Sequence, residues 1–214
     1  MIGILGGGFD PIHFGHINPL YKLLEEFDFN EIRLVPTKIS PTNKIFYANE
    51  FHRLSMVSII TSSNTNNFIA DDIELKNNDI SYTYSMLNKI KKNVSNEKIC
   101  LIMGLDVFLN IKYWYNYLKI INEFNLIVIN RPDFDFNLVN NMDISIKNMI
   151  TKNKKDLFLN NHKNIYLYDY DMPSINISST KIRCLISTGI IPRGFLPGSV
   201  MTYIKRNNLY TNLL

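Results

Sequence analysis

Long apolar runs are missing from this chain: none approaches the roughly 18 residues that a membrane-crossing helix needs, so no spanning segment and no membrane partner are expected. Cysteine is scarce. Cys100 and Cys184 are the only two, far apart and each in an apolar stretch, which argues against a disulfide scaffold or a zinc site and predicts ordinary core or interface thiols. No charge sign dominates, with 23 basic against 19 acidic side chains and a net charge of +4. That mild excess suits a pocket for phosphates. The lysines are scattered and form no basic stripe with interleaved aromatics, so nucleic acid is not an expected partner. Neither an internal repeat nor a heptad pattern occurs. Met1 leads straight into a strand-like run, so neither a signal nor a transit peptide is expected, and the cytosol is the expected compartment.

What is present is a chain of 214 residues with 46% hydrophobic content. At that length about 70% of the unfolded surface can be buried, which allows a real core in one domain. Short β-rich runs alternate with helical patterns. Strands are predicted at 1–5, 31–36, 68–71, 98–103, 125–130 and 165–168. Helices are predicted from the glycine-rich loop at 6–11 through about 27, then over 49–62, 82–92, 179–187 and 198–207. In the second of these helices Phe51, Leu54, Val57 and Ile60 fall at helical spacing. The runs KICLIM and NLIVIN read as strands buried on both faces. Strands separated by helices imply a parallel sheet with right-handed crossovers. The pattern degrades over 133–164, rich in Asn, Asp and Lys, which reads as a solvated helix and loop in preference to a dedicated binding arm.

Two stretches carry chemistry. The first is GGGFDPIHFGH, residues 6–16. Glycines directly after a strand let the backbone approach a ligand, because no Cβ intervenes. The helix that follows turns its amides and its positive dipole end to the same place, where polyphosphate is a natural occupant. His13 and His16 stand three residues apart and are expected on one side of the first turn. They could donate to phosphate oxygens, bind a metal as a pair, or be two structural histidines. The second stretch is ISSTKIR, residues 177–183. Ser178 and Ser179 are good N-cap residues, and Arg183 is four residues on from Ser179, within reach of the same oxygens. A plain helix cap with a surface arginine explains it equally well.

Together these stretches resemble the nucleotidylyltransferases of the "HIGH" superfamily, whose first motif reads G-G-[ST]-F-D-P-x-H-x-G-H. Over nearly its full length the chain is similar to the bacterial-type nicotinate mononucleotide adenylyltransferases. Ser81-Tyr82-Thr83 resembles the family's S-Y-T, and Gly104-Leu105-Asp106 followed by Trp114-Tyr115 resembles its G-x-D…W stretch. Arg131-Pro132 resembles its R-P, and LPGSVMTYI with Leu209-Tyr210 resembles its C-terminal tail. Two departures stand out. Gly8 replaces the usual Ser or Thr, and the family's P-P-H-K loop appears as Pro41-Thr42-Asn43-Lys44.

The resemblance implies a Rossmann-like α/β three-layer sandwich with a parallel sheet and a small C-terminal helical subdomain. It implies one nucleotidylyltransferase domain over 1–214, with 133–164 an inserted segment and 178–214 the helical subdomain. The implied reaction is adenylyl transfer from ATP to nicotinate mononucleotide, giving deamido-NAD and pyrophosphate. Gly7, Gly8 and Phe9 are then expected to offer backbone to the nucleotide, and His13 and His16 to meet the α- and β-phosphates. Ser178, Ser179, Thr180 and Arg183 are expected on the leaving pyrophosphate. Asp106 is expected on ribose hydroxyls, or as a helix cap. Lys44 and Arg131 would neutralise the mononucleotide phosphate, Trp114 would stack on the pyridine ring or lie in the core, and Thr83 with the amide of Tyr115 would face the nicotinate carboxylate. Mg2+ is expected with the β,γ-phosphates of ATP, without a carboxylate cage for it. A phosphopantetheine adenylyltransferase shares the first motif but lacks the Thr83, Trp114 and Arg131 marks. A non-catalytic nucleotide sensor on the same fold would have no need of both histidines and Arg183.

Overall fold

The computed structural model describes residues 1–62, 67–76, 78–94, 97–159, 163–170 and 177–211. Two compact units emerge, one of residues 1–6 and 82–174, the other of 7–81 and 175–214. In chain order the elements are β1 (Ile2–Gly7), α1 (Phe14–Glu26), β2 (Glu31–Pro36), α2 (Glu50–Ser62), β3 (Phe68–Ala70), α3 (Thr83–Asn93), β4 (Ile99–Gly104) and α4 (Leu105–Phe108). They continue as α5 (Tyr117–Glu123), β5 (Asn125–Ile129), α6 (Ile144–Lys147), β6 (Ile150–Thr151), β7 (Ile165–Tyr168), α7 (Ser179–Ser187) and α8 (Gly198–Arg206).

In the first unit β4 pairs with β1 and β5, β5 with β7, and β7 with β6, all parallel. The register sets Leu101 beside Leu126 and Ile127 beside Tyr166. Every residue of β4 and β5 is buried, which is why these strands read as unbroken apolar runs rather than as alternations. In the second unit β2 and β3 are also parallel, with Ile32 beside Phe68, and α1, α2, α7 and α8 belong to the same unit. Parallel strands joined through helices make this a Rossmann-like α/β fold, as the sequence implied.

The predicted strands and helices are all found, within a residue or two at most ends. The strand expected to stop at residue 5 runs on to Gly7. The apolar face predicted for α2 is corrected. Phe51 is 69% exposed, and the buried residues are Arg53, Met56, Val57 and Ile60. Arg53 can occupy the stripe because its guanidinium finds carbonyl partners inside. Cys100 is buried, but Cys184 is exposed on α7 and is no core thiol.

The reading of 133–164 as solvated helix and loop is also corrected. Its described residues form short pieces: 3-10 turns at Phe136–Asn141 and Lys154–Phe158, α6, and β6, which pairs with β7. Val139, Ile146 and Leu157 anchor it in the core. Such pieces are too short to show a period, so hydrophobic patterning cannot reveal them. Asn125, fully buried in β5, ties the segment down. Its side chain donates to the Leu157 carbonyl at 2.8 Å and accepts from the Asn164 amide at 3.0 Å.

Asn125→Leu keeps the volume and removes both bonds. Each buried polar group left unsatisfied costs about 1–3 kcal/mol. We therefore expect a loss of about 2 kcal/mol or more in urea unfolding, with the slope unchanged.

Candidate active site

The glycine-rich turn is shaped by what it must pack against. The Gly7 carbonyl accepts from Thr37 N at 2.9 Å. A Cβ on Gly7 would sit 3.2 Å from the Phe9 ring, and one on Gly8 only 2.6 Å from the ring of Phe46. Gly8 is therefore not merely permissive: Phe46 occupies the space of the side chain that the family's usual Ser or Thr would bring. Phe9 itself has φ of 47°, a left-handed conformation that costs a bulky residue on the order of 1–3 kcal/mol. Its ring is buried at the foot of the turn.

His13 is the N-cap of α1 with extended backbone, and His16 is the third helical residue. The expectation that both lie in the first turn is corrected for His13, yet the two do share one side. Their rings stack with centroids 3.8 Å apart, and Phe9 meets His16 edge-on at 5.3 Å. His16 Nδ1 accepts from the His13 amide at 3.3 Å. In the neutral ring that leaves the hydrogen on Nε2, the nitrogen on the far side. Gly15 keeps this stack possible, since a Cβ there would lie 3.1 Å from the His13 ring. The first turn of α1 carries no acidic residue, which leaves the positive end of the helix to an anion. One amide of that turn is already taken, as Phe14 donates to the Phe195 carbonyl at 2.9 Å.

The structure brings the second stretch against the first. Ser178 caps α7, its Oγ accepting from Lys181 N at 3.2 Å. Ser179 Oγ donates to the Pro11 carbonyl at 2.9 Å. Arg183 is buried, not a surface arginine. Its Nη1 donates to the Asp10 carbonyl at 2.6 Å and lies 3.8 Å from the Asp10 carboxylate, while Nη2 donates to Thr180 Oγ1 at 3.3 Å. The Tyr47 ring covers the guanidinium at 4.5 Å. Ser178 and Thr180 remain exposed.

Three residues of this unit were given no role by the sequence reading: Asp10, inside the first motif, Tyr210, in the C-terminal tail, and Arg53. The Asp10 carboxylate is 3% exposed and accepts from Tyr47 N at 2.8 Å, Ala48 N at 3.0 Å and the Tyr210 hydroxyl at 2.8 Å. Burial, reinforced by the Asp10 charge, pushes the Tyr210 pKa far up, so the phenol stays a donor. Arg53 donates from Nε to the Ala48 carbonyl at 3.1 Å and from Nη1 to the Gly8 carbonyl at 2.8 Å, and its guanidinium lies 4.1 Å from the Phe46 ring centre. Burial lowers its pKa, opposed by the charges of Asp10 and Glu50. A signal for Arg53 existed. It stands three, four and seven residues before Met56, Val57 and Ile60, a charge at the head of an apolar stripe. Lys44 is exposed on the neighbouring loop, where with Lys38, Phe46, Glu50 and Arg53 it lines a cavity of about 380 Å³.

The remaining expected residues lie in the first unit. Thr83 opens α3. The preceding Tyr82 packs its ring 4.7 Å from that of Tyr115, so the S-Y-T and W-Y stretches meet. Trp114 follows the 3-10 turn Ile111–Tyr113 and is half-buried, not core. Asp106 is not a helix cap, since Gly104 is the N-cap of α4. It forms an ion pair with Arg131 at 3.4 Å. Gly104 makes room for that pair: a Cβ there would strike the Asp106 carboxylate and lie 2.6 Å from Arg131 Nε. Among the described residues no group of three or more His, Cys, Asp or Glu could hold a metal ion, and no helix is long and apolar enough to cross a membrane.

The structure presents a glycine turn feeding a histidine-bearing helix start on parallel α/β architecture, and the chain belongs to the cytidylyltransferase-like family, whose model matches residues 4–185. Its relatives narrow the class. A protein of Aeromonas hydrophila subsp. hydrophila named probable nicotinate-nucleotide adenylyltransferase is 32% identical over 209 residues, covering 98% of this chain and 96% of the relative. One of the same name from Methylococcus capsulatus is 30% identical over 210 residues, covering 98% and 99%. Among solved structures, the nicotinic acid mononucleotide adenylyltransferase of Plasmodium falciparum complexed with NaAD matches with a TM-score of 0.75 and 23% identity, covering 98% of this chain and 96% of that one. That likeness shows the fold. The family resemblance read from the motifs is upheld.

Restoring a hydroxyl at position 8 should be harmful here, because Phe46 fills its place. We expect Gly8→Ser to destabilise the chain and Phe46→Ala to relieve the clash in the double variant. In a double-mutant cycle on thermal unfolding the coupling should reach about 0.5–3 kcal/mol; strict additivity would show that the ring moves aside at no cost.

Proposed function

We propose that this chain transfers the adenylyl group of ATP to nicotinate mononucleotide, forming deamido-NAD and pyrophosphate, with the whole of 1–214 acting as one nucleotidylyltransferase domain. The observation that carries it is the stacked His13–His16 pair at the start of α1, behind a glycine turn that Ser179 and Arg183 hold from the other motif. The family and the names of its relatives support the acceptor.

A phosphate oxygen of the mononucleotide attacks the α-phosphorus of ATP, and the bond to the β-phosphate bridging oxygen breaks. The nucleophile is already ionised at neutral pH, so the enzyme needs no base and forms no covalent intermediate. Its work is alignment and neutralisation of charge. Gly7, Gly8 and Phe9 present backbone to the nucleotide. His13 and His16 Nε2 donate to the α- and β-phosphate oxygens, where negative charge builds. Ser178, Ser179 and Thr180 receive the pyrophosphate at the N-terminus of α7, and the Arg183 cation offsets its charge. Magnesium enters with the substrate, as the ATP complex on the β,γ-phosphates. Asp106 holds ribose hydroxyls. Lys44 and Arg131 neutralise the mononucleotide phosphate, and Trp114 stacks on the pyridine. Thr83 and the amide of Tyr115 face the nicotinate carboxylate. The substrates are small molecules, with neither nucleic acid nor membrane in the reading, and the reaction takes place in the cytosol.

His16→Ala should lower kcat by roughly 10²–10³, the usual cost of one donor to transition-state charge, with a smaller effect on KM. Steady-state pyrophosphate release with ATP and nicotinate mononucleotide measures it, and near wild-type turnover in the folded variant would remove His16 from the chemistry.

The acceptor should also be selected by its carboxylate. Backbone donors satisfy a carboxylate, whereas a carboxamide turns an NH₂ toward one of them. That leaves a buried donor without an acceptor at about 1–3 kcal/mol, or one to two decades in kcat/KM. Comparing nicotinate with nicotinamide mononucleotide at one ATP concentration tests this; equal values would refute the donor-only pocket.

A further inference from the structure

Arg53 is 1% exposed, in the α2 stripe otherwise made of Met56, Val57 and Ile60. If only packing were needed there, a long apolar side chain would serve at least as well, because a buried cation carries a desolvation penalty. Its donors go to two main-chain oxygens, those of Ala48 and Gly8, rather than to a carboxylate. The guanidinium carbon lies over the Phe46 ring, 4.1 Å from its centre. A fork that binds two carbonyls and stacks on a ring is specific to arginine, since lysine offers one head.

The Gly8 carbonyl belongs to the same peptide unit as the Phe9 amide. In a planar trans peptide the N–H points opposite to the C=O. A cation bonded to the oxygen therefore fixes the direction of the Phe9 N–H, and it also draws electron density from the nitrogen and strengthens that donor. Among the described residues the Phe9 N–H has no hydrogen-bond partner. The turn is not at rest without help, because Phe9 sits at positive φ. We propose that Arg53 is a positioning residue for the nucleotide phosphates: from behind the glycine turn it orients and polarises the Gly8–Phe9 peptide so that the Phe9 amide donates to a phosphate oxygen of ATP. This rests on the adenylyl-transfer reading for its ligand, but the residue and the route are additional to it.

The test is amide NMR of the full-length protein with MgATP as probe, alongside kinetics. In the wild type the Phe9 amide proton should move downfield as MgATP is added. In Arg53→Lys it should lie upfield before ligand is added and respond less to MgATP. The kcat/KM for ATP should fall at least about tenfold, the size of one hydrogen bond to a charged group. A purely structural arginine would lower the melting temperature and leave the Phe9 resonance and its response unchanged; that result in a folded variant overturns the proposal. If Arg53→Lys does not fold, Phe46→Leu, which removes only the ring under the guanidinium, should shift the Phe9 amide in the same direction, and an unmoved resonance overturns it equally. A wild type in which His13 and His16 respond to MgATP but Phe9 does not defeats this inference alone. A wild type in which none responds defeats the adenylyl-transfer reading and this inference with it.

Discussion

The buried carboxylate of Asp10 is the constraint on which the second compact unit depends. A carboxylate out of water is tolerable only when its oxygens are filled and its charge is balanced. Here Tyr47 N, Ala48 N and the Tyr210 hydroxyl fill them, and Arg183 stands at 3.8 Å. One side chain thus ties the glycine turn to the loop before α2, to α7 and to a residue 200 positions later. Arg53 completes the arrangement from the other side through the Gly8 carbonyl. Both buried arginines thus donate to main-chain oxygens of the turn that carries Phe9 at positive φ, Arg183 to that of Asp10 and Arg53 to that of Gly8.

That architecture explains how weak local signals come together within one unit. A glycine turn, two histidines and a serine-capped helix are each common. They gain meaning when Ser179 bonds the Pro11 carbonyl and Gly15 leaves empty the position where a Cβ would lie 3.1 Å from the His13 ring and 3.5 Å from the Ile177 carbonyl. In the other unit Gly104 plays a comparable part. It leaves room for Asp106 and Arg131 to meet, and the pairing holds both side chains in place. In both units a missing Cβ is what lets charged or aromatic groups approach.

The strands were legible because buried parallel strands write themselves as apolar runs, and the C-terminal helices because serine, proline and glycine mark their ends. Local features of the two motifs were legible too: Ser178 caps α7 as its residue type suggested, and His13 and His16 share one side although His13 is the N-cap of α1. Arg53 and Asp10 were not, since a charge looks solvated until its distant partners are known. Phe51 looked buried by spacing and is exposed for the same reason, as Arg53 holds the inward position. The pieces of 133–164 are held by Asn125 and by single apolar anchors, contacts with no periodicity to read.

The sequence by itself determined the order of strands and helices, the parallel α/β class and the glycine turn and capped helix start of its two motifs, because period, capping and backbone freedom are local properties. Only the tertiary structure decided that Arg183 is a buried brace, that Phe46 takes the space above Gly8, and that Asp106 pairs with Arg131. Those outcomes depend on which distant groups fill a carboxylate, a carbonyl or a vacant Cβ position, and that is settled only when the chain has closed on itself.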